Sequence, residues 1–270
     1  MLDAPSKRSA GFTLIELVMV IVILSILAVG TTRYIVNSAQ SFVVSAERAK
    51  LIATARVAVE KVARRLRNAL PNSVRISTSG RCLEYFPVLR GSATTSPVLP
   101  GTSSLSVSAI VFSDVQPANY AAIAPFASSE LYVTGAPSPG VITATTLTAV
   151  GTHNIIPLGT SHTFTRTSPT QRVYLVANPE RFCVTVSGNL ERYTGYGINS
   201  SSPIADTAPT SPMTATTSLV AENLDIAGGA PFVYTTGTLV SNGLVQVNFT
   251  FTKGLESVNL SHGVQIRNVP

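Results

Sequence analysis

The sequence predicts an α+β protein in which one long N-terminal helix packs on a β-rich globular domain. The run from Phe12 to Thr32 is apolar or small except for Glu16, and about 20 such residues are enough for a helix to cross the hydrocarbon core of a membrane. Residues 33–70 continue without proline and carry apolar side chains at helical spacing. After Pro71, short Val-, Ile-, Tyr-, Phe- and Thr-rich runs alternate with Gly, Pro, Ser and Asn, which is typical of strands and turns.

A single carboxylate, Glu16, interrupts the apolar run near its start. A charged side chain at the centre of a membrane helix costs about 2.5–3.5 kcal/mol on insertion scales, and less near the ends. We therefore expect Glu16 to be present for function. Three interpretations compete: a secretory signal peptide cut near Ala28 to Gly30, an uncleaved signal anchor, and a signal cut before the apolar run. Glu16 is awkward for the first two and central to the third.

The residues GFTLIE, from Gly11 to Glu16, follow a short basic leader and resemble the class III prepilin signal of type IV pilin-like proteins. The resemblance implies that prepilin peptidase cuts between Gly11 and Phe12 on the cytoplasmic side, and that the new amino terminus at Phe12 is N-methylated. It also implies that Glu16 meets the amino terminus of a neighbouring subunit during assembly. Opposite charges stabilise each other far more in a medium of low dielectric than in water, which agrees with that role.

The same resemblance implies a pilin-like lollipop built from four segments. These are a leader peptide (residues 1–11), the membrane-spanning half of the helix (12–32), its amphipathic half (33–70) and a β-rich periplasmic head (71–270). We expect residues 52–70 to pack an apolar stripe on a sheet of the head. The stripe consists of Ile52, Ala55, Val59, Val62, Leu66 and Ala69.

Two basic residues, Lys7 and Arg8, lie immediately before the apolar run. Positive residues favour the cytoplasmic side of a span. We therefore expect a single-pass inner-membrane protein with a cytoplasmic N-terminus and a periplasmic head, which can pass into the extracellular pilus on assembly.

The net charge of +6 is concentrated in the helix, because residues 12–70 hold eight basic and three acidic groups while residues 71–270 hold nine of each. A basic cluster can attract nucleic acid or acidic surfaces. It can equally be a solvated helix face whose cations complement the helix dipole near its C-terminal end. We take the second interpretation and do not expect nucleic acid to be a partner.

Within the head, seven segments have the composition of strands and three are expected to be long loops. The predicted strands are Val74–Thr78, Cys82–Leu89, Leu105–Phe112, Leu131–Thr134, Arg172–Ala177, Phe182–Ser187 and Leu244–Thr252. Lys253 and Gly254 are expected to turn the last of these into a hairpin with Ser257–Leu260. The predicted loops are residues 91–104, 135–146 and 199–217.

Two blocks of the head, residues 172–198 (RVYLVANPERFCVTVSGNLERYTGYGI) and 258–270 (VNLSHGVQIRNVP), resemble the large O-type minor pilins of mannose-sensitive haemagglutinin (MSHA) pilus systems. The resemblance implies a minor pilin that joins an inner-membrane assembly complex and primes or tips pilus assembly. Its implied partners are prepilin peptidase, other major and minor pilins through the N-terminal helix, and the inner-membrane assembly platform. The alternatives are a J-like pseudopilin of type II secretion and a pilus-tip module that binds DNA or a surface ligand.

The two cysteines, Cys82 and Cys183, suggest a disulfide if the head is in an oxidising compartment. The alternative is two buried thiols, since both lie in apolar runs. The subtype often pairs the second cysteine with one in the C-terminal third of the chain, which this sequence lacks, so the pairing stays open at this point.

We find no constellation of residues that would support catalysis. The three histidines, His153, His162 and His262, lack metal-ligand spacing with Cys, Asp or Glu, and no hydrolase, metalloprotease or nucleotide-binding motif is present. We expect no enzymatic activity, no metal and no cofactor.

Overall fold

A computed structural model describes residues 11–112, 117–147, 150–210, 212–237, 241–254 and 256–267. The leader and its basic residues, Lys7 and Arg8, therefore lie outside the described residues, except for Gly11. The chain divides into two compact units, Met1–Lys50 and Leu51–Pro270. Helix α1 (Leu14–Leu66) begins in the first unit and ends in the second.

The first unit consists, where it is described, of the start of α1 and the three residues before it. Every described side chain up to Lys50 is exposed. By length and composition, α1 is the one helix in the described part of the chain that can cross a membrane. A single long apolar N-terminal helix of this kind is the anchor typical of pilins.

In the second unit, the end of α1 packs one face into the main hydrophobic core. Its buried residues are Leu51, Ala55, Ala58, Val59, Val62, Ala63 and Leu66, and their spacing of three and four places them on one face. The core partners come from two sheets, among them Phe182 on one and Phe249 on the other. The predicted fold class, α+β with a long N-terminal helix packed on a β-rich head, is confirmed.

Helix α1 ends four residues before its predicted end at residue 70. The chain after Leu66 joins the strands instead: the Leu70 N–H donates to the Phe86 carbonyl, and the Val88 N–H donates to the Asn68 carbonyl, both at 2.8 Å. Backbone groups that bond a neighbouring strand cannot also continue the helical ladder, so the helix stops there.

Two sheets pack against the last part of α1, from Leu51 to Leu66. Within the described residues, five strands pair in the order β1-β2-β9-β10-β11, and three more in the order β12-β13-β14. The strands of the first sheet are β1 (Arg75–Ile76), β2 (Cys82–Tyr85), β9 (Glu180–Val184), β10 (Leu190–Thr194) and β11 (Thr216–Ala221). Those of the second are β12 (Phe232–Thr235), β13 (Gly243–Lys253) and β14 (Glu256–Ile266).

A long insertion in the chain separates β2 from β9, although the two strands are neighbours in the sheet. Strands β2 and β9 are antiparallel partners, with Tyr85 opposite Glu180, and the chain between them forms a subdomain with its own apolar cluster. Its described strands form a four-stranded sheet, β3-β8-β5-β6, and a two-stranded one, β4-β7. The bounds are β3 (Val88–Ala93), β4 (Thr102–Phe112), β5 (Tyr120–Ala122), α2 (Ser128–Leu131), β6 (Ile142–Ala144), β7 (Gly151–His162) and β8 (Arg172–Val176).

The structure corrects two groups of strand and loop predictions. The predicted strand Leu131–Thr134 is wrong, because Leu131 ends the short helix α2, whose first turn is held by the Glu130 carboxylate accepting from the Phe126 N–H at 2.9 Å. The predicted loops were also too long: β3 and β4 occupy parts of residues 91–104, β6 lies within 135–146, and β11 begins before residue 217. Pairing with distant strands orders these polar segments despite their weak periodicity.

Candidate functional site

The N-terminal segment places the residues of the GFTLIE motif around the start of α1. Gly11, Phe12 and Thr13 precede the helix, which begins at Leu14. Thr13 is the N-cap: its carbonyl accepts from the Leu17 N–H at 3.2 Å, and its Oγ1 accepts from the Glu16 N–H at 3.3 Å. Thr13 thereby satisfies one of the amide groups that a helix start leaves unpaired.

Our sequence reasoning missed the role of Thr13. The signal was present, because Thr13-Leu14-Ile15-Glu16 has the S/T-x-x-E spacing of a capping box. The cap fixes Glu16 at the third helical position, in the first turn of α1. There its carboxylate lies at the positive end of the helix dipole, where a negative charge is stabilised.

The peptide bond between Gly11 and Phe12 lies outside the helix and both residues are exposed. Apart from the chain neighbours of Gly11, no described residue has an atom within 4 Å of the position a Cβ would take there. Glu16 lies in the first turn of the helix that follows this bond. The arrangement brings the cleavage, methylation and assembly residues of the sequence prediction into one short segment.

Comparison with known families assigns this segment. The family of the prokaryotic N-terminal methylation motif matches residues 6–32. This is the signal of type IV pilin-like proteins. It implies processing by prepilin peptidase and a pilin assembly context. No curated protein and no solved structure gives a significant match to the chain.

In the head, a buried cluster of charged side chains surrounds Glu84, on β2. Its Oε1 accepts from Arg181 Nη2 at 2.9 Å and from the Tyr196 hydroxyl at 2.6 Å, and its Oε2 accepts from Arg75 Nε at 2.6 Å. Glu84 is fully buried, as is Tyr196. Burial, and then the Glu84 charge, raise the pKa of Tyr196 well above its ordinary value.

The two arginines of this cluster also fix the segment that follows β10. Their remaining N–H groups donate to backbone carbonyls, which satisfies the buried guanidinium groups. Arg75 donates to Asn199 and Ser201 at 2.6 and 2.9 Å, and Arg181 to Ala205 and Thr207 at 3.3 and 3.1 Å. The cluster thus orders residues 199–207, which the sequence predicted only as a loop.

A second carboxylate, Glu180, links the sheet to the helix. It accepts from Arg192 Nη2 at 2.6 Å and from the Tyr85 hydroxyl at 2.7 Å, and Arg65 on α1 lies 3.6 Å from its Oε1. Burial first, and then Glu180, raise the pKa of Tyr85. Because each oxygen of these two carboxylates accepts from a guanidinium or phenol group, the geometry is that of a structural ion-pair network.

Cys82 and Cys183 lie directly opposite each other on β2 and β9. The structure joins them by a disulfide, and both are fully buried. The histidines lie apart from each other, with His153 and His162 on β7 and His262 on β14. In the part of the chain that the structure describes, no group of three or more His, Cys, Asp or Glu residues is placed to hold a metal ion.

Proposed function

We propose that this protein is a minor type IV pilin of the MSHA type, which enters an inner-membrane assembly complex and primes or tips pilus assembly. The observation that carries the proposal is the methylation motif at residues 6–32 at the head of a single apolar helix. In this proposal, prepilin peptidase cuts between Gly11 and Phe12, the Phe12 amino group is methylated, and Glu16 meets the amino terminus of a neighbouring pilin.

The large inserted subdomain between β2 and β9 supports a position at the end of a fibre. A subunit that repeats along a fibre must fit against copies on every side, whereas a terminal subunit leaves one side open. An insertion of this size is more easily accommodated on the open side. We propose a structural rather than an enzymatic role, with the head in the periplasm before assembly.

Sheared, purified pili provide the test. They are cross-linked and analysed by mass spectrometry, which reports presence, stoichiometry and neighbours together. We expect a few copies per pilus, cross-linked to other pilins, with a mature chain that begins at N-methylated Phe12. A mature chain that begins near Thr31 would contradict the proposal, because it would indicate cleavage after the apolar run.

The J-like pseudopilin alternative predicts a different phenotype. Deletion would then abolish secretion of type II substrates and leave the number of surface pili unchanged. For the proposed minor pilin, deletion lowers the number of pili and leaves secretion intact.

A further inference from the structure

A cleft of about 700 Å³ in the head has four arginines among its lining residues, Arg67, Arg90, Arg172 and Arg267, and no acidic residue among those that the structure describes. The other lining residues include Asn68, Asn242 and Tyr174. Like charges gathered in one concave site repel each other, and low-dielectric walls strengthen the field there. An anionic ligand would relieve that repulsion.

Three separate parts of the second unit supply these arginines. Arg67 follows the last residue of α1, Arg90 and Arg172 lie on the paired strands β3 and β8, and Arg267 follows the end of β14. Arg172 and Tyr174 are two residues apart on β8, so they point to the same face of the sheet. Tyr174 lies opposite Gly91 of β3, where even a Cβ would come within 3.5 Å of the tyrosine ring.

Several arginines of the head that lie outside the cleft form ion pairs with carboxylates. Arg75 and Arg181 bind Glu84, Arg192 binds Glu180, and Arg166 binds Glu130. By contrast, Arg172 and Arg267 are exposed and make no ion pair among the described residues. Arg67 makes a long ion pair of 3.9 Å with Glu60, in which both side chains are about half exposed.

The Arg90 side chain points to the other face of the sheet. Arg90 lies opposite Leu175 of β8, so its side chain leaves the sheet on the side away from Arg172 and Tyr174. There it donates from Nη1 to the Leu89 carbonyl at 2.7 Å and from Nε to the Val111 carbonyl at 3.1 Å, and its guanidinium lies 5.7 Å from the centre of the Phe112 ring. The guanidinium groups that can reach a ligand in the cleft are therefore those of Arg67, Arg172 and Arg267.

We propose that this cleft binds a compact polyanion that carries two or more phosphate or sulfate groups. The planar fork of a guanidinium matches the oxygens of such groups with two parallel hydrogen bonds. The cleft volume falls in the range of about 300–1,000 Å³ that is usual for small ligands, so the site suits a short oligoanion. Asn68, which also lines the cleft, offers hydrogen bonds to the uncharged part of such a ligand.

The test is calorimetric titration of the full chain in zwitterionic detergent with three probes: tripolyphosphate, sucrose octasulfate and uncharged sucrose. We expect one of the two polyanions to bind at one site with a salt-dependent affinity, and sucrose not to bind. The stronger polyanion identifies the ligand as a phosphate or a sulfate compound. No binding of either polyanion would overturn the proposal.

Matched glutamine variants locate the binding. Arg172→Gln and Arg267→Gln should each weaken polyanion binding by about tenfold, since each removes charge-assisted hydrogen bonds. Lys253→Gln, outside the cleft at the end of β13, removes the same charge and should change the affinity by less than about twofold. Circular dichroism checks that each variant is folded.

Lys61→Gln tests the alternative that the basic face of α1 attracts any polyanion. If Lys61→Gln and Arg172→Gln weaken binding equally, the attraction is a general one and the cleft is not a site. Duplex DNA that binds with equal affinity to the wild type and to Arg172→Gln, while neither small polyanion binds, would point to nucleic acid on the helix and would also overturn the proposal.

Discussion

Glu84 and Arg181 form an ion pair at 2.9 Å in which the two side chains are 0% and 3% exposed. Breaking a buried pair by removing one partner leaves the other charge without compensation, which costs about 3–5 kcal/mol. Glu84 also compensates Arg75. We therefore expect Glu84→Gln to lower the free energy of unfolding by at least that range, measured by urea denaturation of the full chain in detergent.

Glu222→Gln is the matched control for this variant. Glu222 is exposed and makes no ion pair among the described residues, so the same change there should alter the unfolding free energy by less than about 0.5 kcal/mol. Equal effects of the two variants would show that the Glu84 cluster does not stabilise the head.

The buried face of α1 gives a second prediction, based on two valines of the same helix. Val59 is 7% exposed in the core, whereas Val57 is 52% exposed. Val59→Asp would bury an unpaired charge, which costs several kcal/mol, and should unfold the head. Val57→Asp should be nearly neutral. Limited proteolysis and thermal denaturation distinguish them, and comparable damage from both would mean that the faces are wrongly assigned.

Periodicity predicted this face of α1 because helical spacing is a local property of the sequence. Five of the six predicted stripe residues, Ala55, Val59, Val62, Leu66 and Ala69, are buried as expected, and Ile52 is half-buried. Sequence composition did not predict β7, because Gly151–His162 has little alternation and acquires its strand structure by pairing with β4, which lies earlier in the chain. Such pairing is set by tertiary context rather than by local propensity.

The prepilin segment and the Glu84 cluster also differ in how far the sequence alone could locate their residues. The prepilin signal is a contiguous motif, so the sequence sufficed to locate Gly11, Phe12 and Glu16, although the capping role of Thr13 was overlooked. The Glu84 cluster joins residues about a hundred positions apart. The fold was therefore needed to identify Arg75 and Arg181 as the partners of Glu84.

The disulfide between Cys82 and Cys183 closes a loop with a sequence separation of 101 residues. In the chain-entropy model, closing a loop of that length stabilises the folded state by up to about 4.7 kcal/mol. We expect alkylation of the denatured, non-reduced protein to find no free thiol, and the double variant Cys82→Ala, Cys183→Ala to unfold at lower urea concentration. Two alkylated cysteines in the wild type would instead indicate a pair of buried thiols.

Three buried tyrosines predict an alkaline limit to the stability of the head. Burial, followed by the nearby carboxylates, raises the folded-state pKa of Tyr85, Tyr132 and Tyr196 above the ordinary value of 10.0. Their contribution to stability is therefore complete below about pH 10 and is lost as the pH rises through the folded-state pKa values.

The expected loss is about 1.4 kcal/mol per pH unit for each of these tyrosines that stays protonated in the folded state. Urea denaturation at several alkaline pH values measures how steeply the free energy of unfolding falls with pH. Tyr196→Phe should make this slope smaller by the contribution of one tyrosine. Ultraviolet titration gives an independent check. If all eight tyrosines ionise together near pH 10 while the protein is still folded, the prediction fails.

Glu16 lies in the first turn of α1, where Thr13 caps the helix. A variant of Glu16 can show whether this carboxylate serves cleavage or assembly. Cleavage acts at Gly11, whereas assembly should need the carboxylate. Glu16→Val removes the charge from the apolar run and makes insertion easier, so we expect a processed, membrane-inserted protein that is absent from sheared pili.

Glu47→Val, which changes a glutamate of α1 beyond the apolar run, should assemble normally. Normal assembly of Glu16→Val would show that Glu16 is not the assembly contact, and an uncleaved Glu16→Val would show that it serves the peptidase.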